Sequence, residues 1–335
     1  MDLNENIDVS VYMLTYFHEK YVSEAIESVL AQNTKYKYEL IISDDCSKDR
    51  TVEILRDYQQ KYPDKIRLQL NTENIGIPRN IFQARCMCRG RYIVALSGDD
   101  YWIDENKIEK EVAFLDSHEE YYSLFNLVEL RVDSCKEAYE IRPPKRFWNK
   151  QYTLHDYEKG NTLASHGFMM RNAFLTEEGK AYFRSAQELS CYVDDAVDLV
   201  LILSKGPAYV LGFATDVHRV IRAELEKNNY NSRYSKLEKC SHQISLYNAL
   251  HDKYGEDIDF SWWYANTYAV GFVGMLYTGD FDGYHKLFST IPTKFKRGLK
   301  RNIYLRLIPN SLSFIFTWAK NKVVASIAGG KKCKL

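Results

Sequence analysis

The chain has 335 residues, is 45% hydrophobic and 27% charged, and carries a formal net charge of zero. This composition suits one large globular domain or two smaller ones, and the charge balance gives no argument for nucleic-acid binding. Seven irregularly spaced cysteines favour a reducing compartment over a disulfide framework or a zinc site. Since MDLNENIDVS is no signal peptide and no apolar run reaches about eighteen residues, the sequence predicts a cytoplasmic protein.

The first hundred residues alternate short apolar runs with stretches of helical spacing. A β-α-β-α-β-α-β order indicates a parallel sheet with right-handed crossovers, which is an α/β fold. The predicted strands are 9–15, 38–43, 66–70 and 92–96, and the predicted helices are 21–32, 52–62 and about 81–88.

Polar residues lie at or just past the carboxyl ends of three of these strands. They are Thr15, the pair Asp44 and Asp45, and the pair Asp99 and Asp100. Adjacent carboxylates repel each other unless a cation or a ligand hydroxyl lies between them. An isolated Gly-Asp-Asp also fits a simple turn, but three strand ends at one sheet edge favour a ligand site.

Two common phosphate-binding motifs are missing from the sequence. No Gly-x-Gly-x-x-Gly follows the first strand, and no GxxxxGK[ST] occurs. The sequence therefore argues against a dinucleotide-binding domain and against a P-loop enzyme.

Five segments carry a resemblance to a known family: VSVYMLTY, EAIESVLAQ, ELIISDDCSKDRTVEIL, NIGIPRN and RGRYIVALSGDDYWIDENKIEKEVAFLD. In this order they resemble the inverting glycosyltransferases of family 2, over about the first 115 residues. The similarity is greatest to bacterial members that build capsule, O-antigen or other surface glycans. It implies a GT-A fold, a Rossmann-like and mostly parallel sheet flanked by helices, and a nucleotide-sugar donor.

The resemblance implies that six residues hold the nucleotide. An aromatic ring stacks on the base, a hydroxyl bonds its edge, and a carboxylate accepts from a base ring nitrogen. The six are Thr15 and Tyr16 after the first strand, Asp44 and Asp45 after the second, and Arg79 and Asn80 in a loop that closes over the nucleotide. Arg79 also fits a simple solvent-exposed loop charge.

Asp99 and Asp100 match the family's metal-and-ribose acids. The resemblance implies Mg²⁺ or Mn²⁺ bridging the donor diphosphate, where the cation neutralises charge on the departing nucleotide. Ser97 stands where an acid is usual, so its expected contact to the ribose or the metal is weaker. Phe17 stands where the family usually has Asn.

Two histidines are further candidates. Family members often end the segment ATDVHRV with Arg-x-His, the His lying near the diphosphate or metal. Here Asp216 replaces the Arg, and His218 is either a metal or phosphate contact or a structural histidine. His166 either faces the acceptor or is structural as well.

A second acidic pair, Asp194 and Asp195, precedes an apolar helix over 196–203 that ends at Gly206. The helix dipole alone accounts for two acids at that position. In the resembling family an Asp there is the catalytic base, which takes the proton of the acceptor hydroxyl. By its spacing Asp195 is the better match, Asp194 is the substitute, and Asp198 is third because it lies inside the helix.

The chain is divided into three predicted parts. Residues 1–115 are the nucleotide-sugar-binding half and residues 116–220 the acceptor-binding half of the GT-A domain. Residues 221–335 form a helical C-terminal extension. Its last part, from Thr293, mixes Lys and Arg with apolar residues. Such a tail either contacts an anionic membrane peripherally or packs as a helix with a solvated basic face.

The sequence thus predicts a metal-assisted inverting glycosyltransferase of the hexosyl or N-acetylhexosaminyl type. It would move a sugar from a nucleotide-sugar, expected to be a UDP-sugar, to a hydroxyl of a glycan or lipid-linked acceptor. A nucleotidyltransferase is an alternative, although TYFHEK supplies no glycine-rich phosphate loop. The other alternative is a catalytically silent glycan-binding or assembly protein with the same fold. Ser97 and Phe17, which depart from the family's usual residues, are compatible with this alternative.

Overall fold

The computed structural model describes residues 6–132, 137–163, 167–189, 195–220 and 234–296, with the backbone alone described for 185–189, 195 and 277. The chain divides into two compact units, Met1–Ser232 and Arg233–Leu335. Each unit is described by itself below.

The first unit begins with the predicted alternation of strands and helices. One predicted boundary is wrong, since the third helix begins at Ile77 rather than near Ile81. Pro78 lies in its first turn, where proline's fixed φ suits a helix and its missing N–H costs nothing. The elements are β1 (Val9–Thr15), α1 (Val22–Leu30), β2 (Tyr38–Asp44), α2 (Thr51–Lys61), β3 (Ile66–Leu70), α3 (Ile77–Met87) and β4 (Tyr92–Ser97).

The second half of this unit extends the same sheet. Its elements are β5 (Tyr101–Trp102), α4 (Lys107–Ser117), β6 (Ser123–Val132), β7 (Glu140–Arg142), β8 (Lys150–Tyr152), α5 (Leu154–Glu158), β9 (Phe168–Arg171), α6 (Glu177–Leu189), α7 (Asp195–Lys205) and β10 (Ala208–Val220).

Among the described residues these strands form one ten-stranded sheet in the order β3-β2-β1-β4-β9-β6-β10-β5, with β7 on β6 and β8 on β10. Pairs among the first four strands are parallel, and so is the pair of β6 and β10. The short strand β9 joins the two halves through antiparallel pairs. The predicted α/β class is confirmed, and every antiparallel pair includes at least one strand of the second half.

The core of the first unit lies between the sheet and its helices. Alternate residues of β1, including Val11 and Met13, are fully buried with Ala25 and Ile26 of α1. Each large apolar side chain buried in this way contributes about 1.5–3 kcal/mol to stability. This packing fixes the strands whose carboxyl ends carry the candidate site.

The described part of the second unit is helical, as predicted for the C-terminal extension. It contains α8 (Lys236–Tyr254), α9 (Ser261–Thr278) and α10 (Phe281–Ser289). Aromatic side chains fill its interior, and the rings of Tyr264 and Phe295 stack with centroids 4.6 Å apart. Across the described residues of both units, no helix combines the length and apolar character needed to cross a membrane.

Candidate functional site

The carboxyl ends of β1, β2 and β4 meet at one edge of the sheet, as the sequence predicts. Thr15 pairs with Asp44 across β1 and β2, and Leu14 pairs with Ser97 across β1 and β4. The loops after these strands therefore start from the same level, where open α/β sheets bind their ligands.

Asp44 ties two of these loops together. Its buried carboxylate accepts hydrogen bonds from Thr15 Oγ1 at 2.8 Å, Ser47 Oγ at 2.6 Å and the Ser47 backbone N–H at 2.8 Å. Ser47 Oγ in turn accepts from the backbone N–H of Phe17 at 2.9 Å. The structure thus gives Thr15 and Asp44 a shared role in shaping the edge, and their base contacts remain a prediction.

Asp45 holds the loop between β3 and α3. Its carboxylate accepts from the backbone N–H of Ile75 at 2.8 Å and of Gly76 at 3.0 Å. The side-chain amide of Asn71 donates to it at 3.3 Å. Asp45 therefore shapes the loop that was predicted to close over the nucleotide.

Asn80 and Arg79 are neighbours in the first turn of α3 but have different surroundings. Asn80 is buried, and its Oδ1 accepts from Ser43 Oγ at 2.5 Å and from Asn71 Nδ2 at 3.0 Å. Its Nδ2 donates to the Ser43 carbonyl at 3.2 Å. Arg79 is exposed. Asn80 thus fastens the helix to β2, whereas Arg79 is available to a ligand at the surface.

Two exposed aromatic rings follow β1. Tyr16 is 40% exposed and Phe17 is 43% exposed, and their rings meet edge to face with centroids 4.5 Å apart. Phe17 has a φ of +58°, a left-handed backbone conformation that bulky side chains rarely adopt. Tyr16, the predicted base-stacking residue, thus presents a ring at the edge of the sheet.

Gly98 and Asp99 form the turn after β4. A Cβ at Gly98 would lie 2.6 Å from Thr15 Cγ2 and 2.8 Å from His18 Nδ1, so any side chain here would force Thr15 or His18 to shift. The Asp99 carboxylate accepts from Ser97 Oγ and lies 3.9 Å from His18 Nε2. Burial would raise the pKa of Asp99, but His18, Ser97 and the charge of His218 hold it below its usual range. Asp99 is therefore ionised at neutral pH.

Asp100 is buried and connects the turn to β10. One oxygen bonds His218 Nδ1 at 3.1 Å, and the other accepts from the Arg219 backbone N–H at 2.8 Å. Burial lowers the pKa of His218, but its bond to Asp100 and the charges of Asp100 and Asp99 outweigh burial and raise it overall. The Arg219 guanidinium donates to the Asp99 carbonyl at 2.8 Å. These bonds place His218 beside both carboxylates.

The three predicted metal ligands, Asp99, Asp100 and His218, thus lie together, but with different surroundings. Across the described ranges, no three or more His, Cys, Asp or Glu side chains are arranged as a ready metal-binding group. A carboxylate that bonds one imidazole nitrogen is the usual support of a metal-binding histidine. Asp100 thus orients the imidazole of His218, and the assignment of the three residues as metal ligands remains a prediction.

The candidate bases lie around the start of α7. Asp195 is the first residue of that helix, while Asp194 and His166 lie outside the described residues. Asp198 is engaged by Arg85 Nη1 at 2.9 Å and Nη2 at 2.6 Å. This ion pair makes Asp198 unsuited to the role of base, and Asp195 and Asp194 remain the candidates.

Sequence reasoning missed a buried charge cluster around Asp216. Lys107 Nζ, fully buried, lies 2.6 Å from Glu111 Oε1 and 3.0 Å from Asp216 Oδ2. Asp216 thus has a partner inside the protein, at the position where the family's Arg is replaced. His18 was also missed, although its place three residues after Thr15 was the available signal.

The carboxyl edge of this open α/β sheet gathers carboxylates, imidazoles and exposed rings, and open α/β sheets bind their ligands at such an edge. The profile described as "Glycosyl transferase family 2" matches residues 10–178, just over half of the 335 residues. The chain therefore belongs to glycosyltransferase family 2.

Similar proteins are known from several bacteria. The uncharacterized protein Rv1520 of Mycobacterium tuberculosis is 30% identical over 174 residues, which cover 52% of this chain and 48% of Rv1520. The chain thus matches about half the length of this relative. The poly(ribitol-phosphate) β-N-acetylglucosaminyltransferase TarS of Staphylococcus aureus is 34% identical over 111 residues, covering 32% of this chain and 19% of TarS.

A solved structure has a similar fold. The crystal structure of S. aureus TarS 1-349 in complex with UDP-GlcNAc superposes with a TM-score of 0.60 and 14% identity. The superposition covers 94% of this chain and 92% of that one. The GT-A fold implied by the sequence resemblance is thereby confirmed.

Proposed function

We propose that this protein transfers a sugar from a UDP-sugar to a hydroxyl group of a glycan or lipid-linked acceptor, with inversion at the anomeric carbon. The observation that carries this proposal is Asp99. Its carboxylate is 19% exposed, ionised, and held between Ser97 and His18 at the carboxyl edge of a family 2 domain. Such a carboxylate serves to bind the ribose and the cation of a nucleotide-sugar.

The donor side of the proposal rests on the loops after β1 and β3. The exposed ring of Tyr16 stacks on the base, and Arg79 binds the diphosphate from the first turn of α3. Asp45 and Asn80 keep that turn in place through their bonds to the loop and to β2. The UDP-GlcNAc complex of TarS, which has this fold, supports UDP as the nucleotide.

Asp99 and His218 would hold Mg²⁺ or Mn²⁺, with Asp100 fixing the imidazole through Nδ1. The cation would neutralise the diphosphate as it departs. The chain's own contribution is to keep Asp99 ionised and to hold His218 beside it. Ser97 orients Asp99 through its hydroxyl.

Asp195 is the proposed base. It would take the proton from the acceptor hydroxyl while that oxygen attacks the anomeric carbon from the side opposite the diphosphate. A single displacement of this kind inverts the configuration. Asp194 is the substitute if Asp195 proves dispensable.

The acceptor half is proposed to lie within residues 116–220, and the basic tail after residue 296 is proposed to bring the enzyme to an anionic membrane surface. A lipid-linked acceptor would suit that location. The protein would then act at the cytoplasmic face of the membrane.

Calorimetry of UDP binding, with and without Mn²⁺, tests the donor site. We expect the wild type to bind UDP more tightly with Mn²⁺, and Asp99→Ala to lose that dependence. Asp64→Ala is the matched control, because Asp64 is an exposed acid before the amino end of β3, away from the site. Equal metal dependence in all three proteins would refute the role of Asp99.

Transfer assays with a panel of UDP-sugars test the chemistry. Asp195→Asn is expected to abolish transfer while leaving UDP affinity nearly unchanged, since the amide cannot accept the proton. A variant that keeps most of its rate would overturn the base assignment. Tight donor binding without turnover by the wild type would instead indicate the catalytically silent alternative.

A further inference from the structure

A buried ion pair joins α3 to α7. Arg85 of α3 is 3% exposed and donates two nearly parallel hydrogen bonds to the Asp198 carboxylate, at 2.9 and 2.6 Å. Its Nη2 also donates to the Tyr12 hydroxyl of β1 at 2.7 Å. The guanidinium is thus fixed to the central sheet and to the helix at the same time.

Asp198 is a charged residue within an apolar stretch of α7, close in sequence to the buried Val197, Leu199 and Val200. Well-packed apolar residues in place of a buried ion pair are often as stable or more stable. A two-pronged guanidinium–carboxylate contact adds a defined orientation, which apolar packing does not impose.

The two ends of α3 contact different parts of the candidate site. Its first turn carries Arg79 and Asn80 and follows the loop that Asp45 holds. Near its other end, Arg85 forms its ion pair with Asp198, which lies about one helical turn after Asp195 in α7. A single helix therefore links the donor loop to the start of the helix that bears the proposed base.

We infer that the Arg85–Asp198 pair is a positioning device that sets the start of α7, and with it Asp195, relative to the donor loop on α3. This inference rests on the proposed function, in which Asp195 is the base. Neither Arg85 nor Asp198 touches the donor or takes a proton. Their effect is on the distance between the base and the acceptor hydroxyl, and small misplacements of a reacting group reduce turnover strongly.

The test compares Asp198→Asn with Glu39→Gln. Glu39 is a matched control because its buried carboxylate also binds an arginine, Arg89 at 2.7 Å, at the amino end of β2 and away from α7. Both variants lose a buried ionic contact and are expected to lose stability. Only Asp198→Asn should lower kcat, by about tenfold or more, with the KM for the donor and the UDP affinity within about twofold of wild type.

Hydrogen exchange over residues 195–205 provides a readout that does not need activity. The amides of residues 199–202, which follow the unpaired N–H groups of the first turn and bond to the carbonyls of residues 195–198, should exchange faster in Asp198→Asn than in Glu39→Gln. Arg85→Lys, which keeps the charge but loses the two-pronged contact, should behave like Asp198→Asn. Should Asp198→Asn not fold, Arg85→Met/Asp198→Leu restores apolar packing and is expected to show the same loss of kcat.

Two outcomes overturn the inference. One is equal protection of the α7 amides in Asp198→Asn and Glu39→Gln. The other is an equal kcat in the two variants once each rate is corrected for the fraction of folded protein. A wild-type protein that transfers no sugar and binds no nucleotide would refute the proposed function instead. The exchange measurement would then still decide whether the pair sets the start of α7.

Discussion

At the scale of single residues, Phe17 combines a strained backbone with an exposed ring. A bulky residue in the left-handed region costs about 1–2 kcal/mol, and Phe17 recovers little of this through burial because its side chain is 43% exposed. Strained residues of this kind concentrate at ligand sites. The ring lies beside Tyr16, so we expect it to widen the surface on which the base stacks.

Replacing Phe17 by Asn, the residue usual in the family, should therefore change stability and affinity in opposite directions. Asn tolerates the left-handed region, so the free energy of unfolding should rise by about 0.5–1 kcal/mol. UDP affinity should fall severalfold, because a stacking surface is lost. Thermal unfolding and calorimetry measure the two effects.

Phe17→Leu is the control for this pair of effects. It keeps the strain and removes the ring, so it should weaken UDP binding without stabilising the protein. Unchanged affinity in both variants would show that the ring has no part in nucleotide binding.

The buried cluster of Lys107, Glu111 and Asp216 places one positive charge between two carboxylates. Burial, with the nearby charge of Asp216, raises the pKa of Glu111 to about 7 even though Lys107 opposes the shift. The folded protein thus keeps a proton on Glu111 in a pH range where the unfolded chain has already released it. Stability must then fall as the pH rises through that range.

We therefore predict that Glu111→Gln flattens the dependence of stability on pH between about 4.5 and 7, by on the order of 2 kcal/mol across the window. Urea unfolding midpoints at several pH values measure it. Glu109→Gln on the same helix is the control. The bonds from Thr34 and Lys35 outweigh desolvation and lower the pKa of Glu109, so its contribution has the opposite sign and is lost only as the pH falls. Identical pH profiles for wild type and Glu111→Gln would contradict the assignment.

At the scale of elements, the first turn of α3 depends on one buried amide. Asn80 makes hydrogen bonds to the Ser43 side chain, the Ser43 carbonyl and Asn71. Asn80→Ala should cost about 1–3 kcal/mol of stability, because buried polar groups lose their partners. It should also weaken UDP binding, since the turn that carries Arg79 is released.

The matched control for Asn80 is Asn172→Ala. The Asn172 amide is also buried and donates to the backbone carbonyls of Cys88 and Gly90, at the amino end of β4. Similar stability losses with reduced UDP affinity in Asn80→Ala alone would support the role of the turn. Equal UDP affinities in Asn80→Ala and Asn172→Ala would show that Asn80 has a structural role only.

The elements also show what could be predicted from the sequence. The strands of the first half were predictable because their apolar runs are bounded by turns, and the carboxylates after them mark the sheet edge. The start of α3 was misjudged because Pro78 was taken as part of a loop. The partners of Asp45 were out of reach because Ile75 and Gly76 are thirty residues away. The contact of Arg85 with Asp198, 113 residues apart, depends on the tertiary fold alone.

At the scale of the whole molecule, a net charge of zero hides an uneven distribution. Residues 297–335 contain nine Lys and Arg and no Asp or Glu, so the preceding residues carry the balancing excess of acids. The basic residues alternate with Ile, Leu, Phe and Trp, a composition that favours binding to an anionic lipid surface.

A truncation that tests this must begin after Lys296. Phe295 is buried and stacks on Tyr264, and Ile291 is buried as well, so a cut at Thr293 would disturb the second unit itself. Protein ending at Lys296 should float poorly with phosphatidylglycerol vesicles, whereas full-length protein should float with them and not with phosphatidylcholine vesicles. Binding should weaken with added salt, because each basic residue near such a surface contributes about 1 kcal/mol through screened attraction.

A full-length variant with the tail's Lys and Arg changed to Gln separates charge from apolar insertion. Loss of flotation in that variant would assign the attraction to charge, and retained flotation would assign it to the apolar residues. If full-length and truncated protein partition equally, the tail does not bind membranes. UDP affinity should be the same in all three proteins, since the donor residues lie within residues 15–100 and at His218, so any change in flotation reports the tail alone.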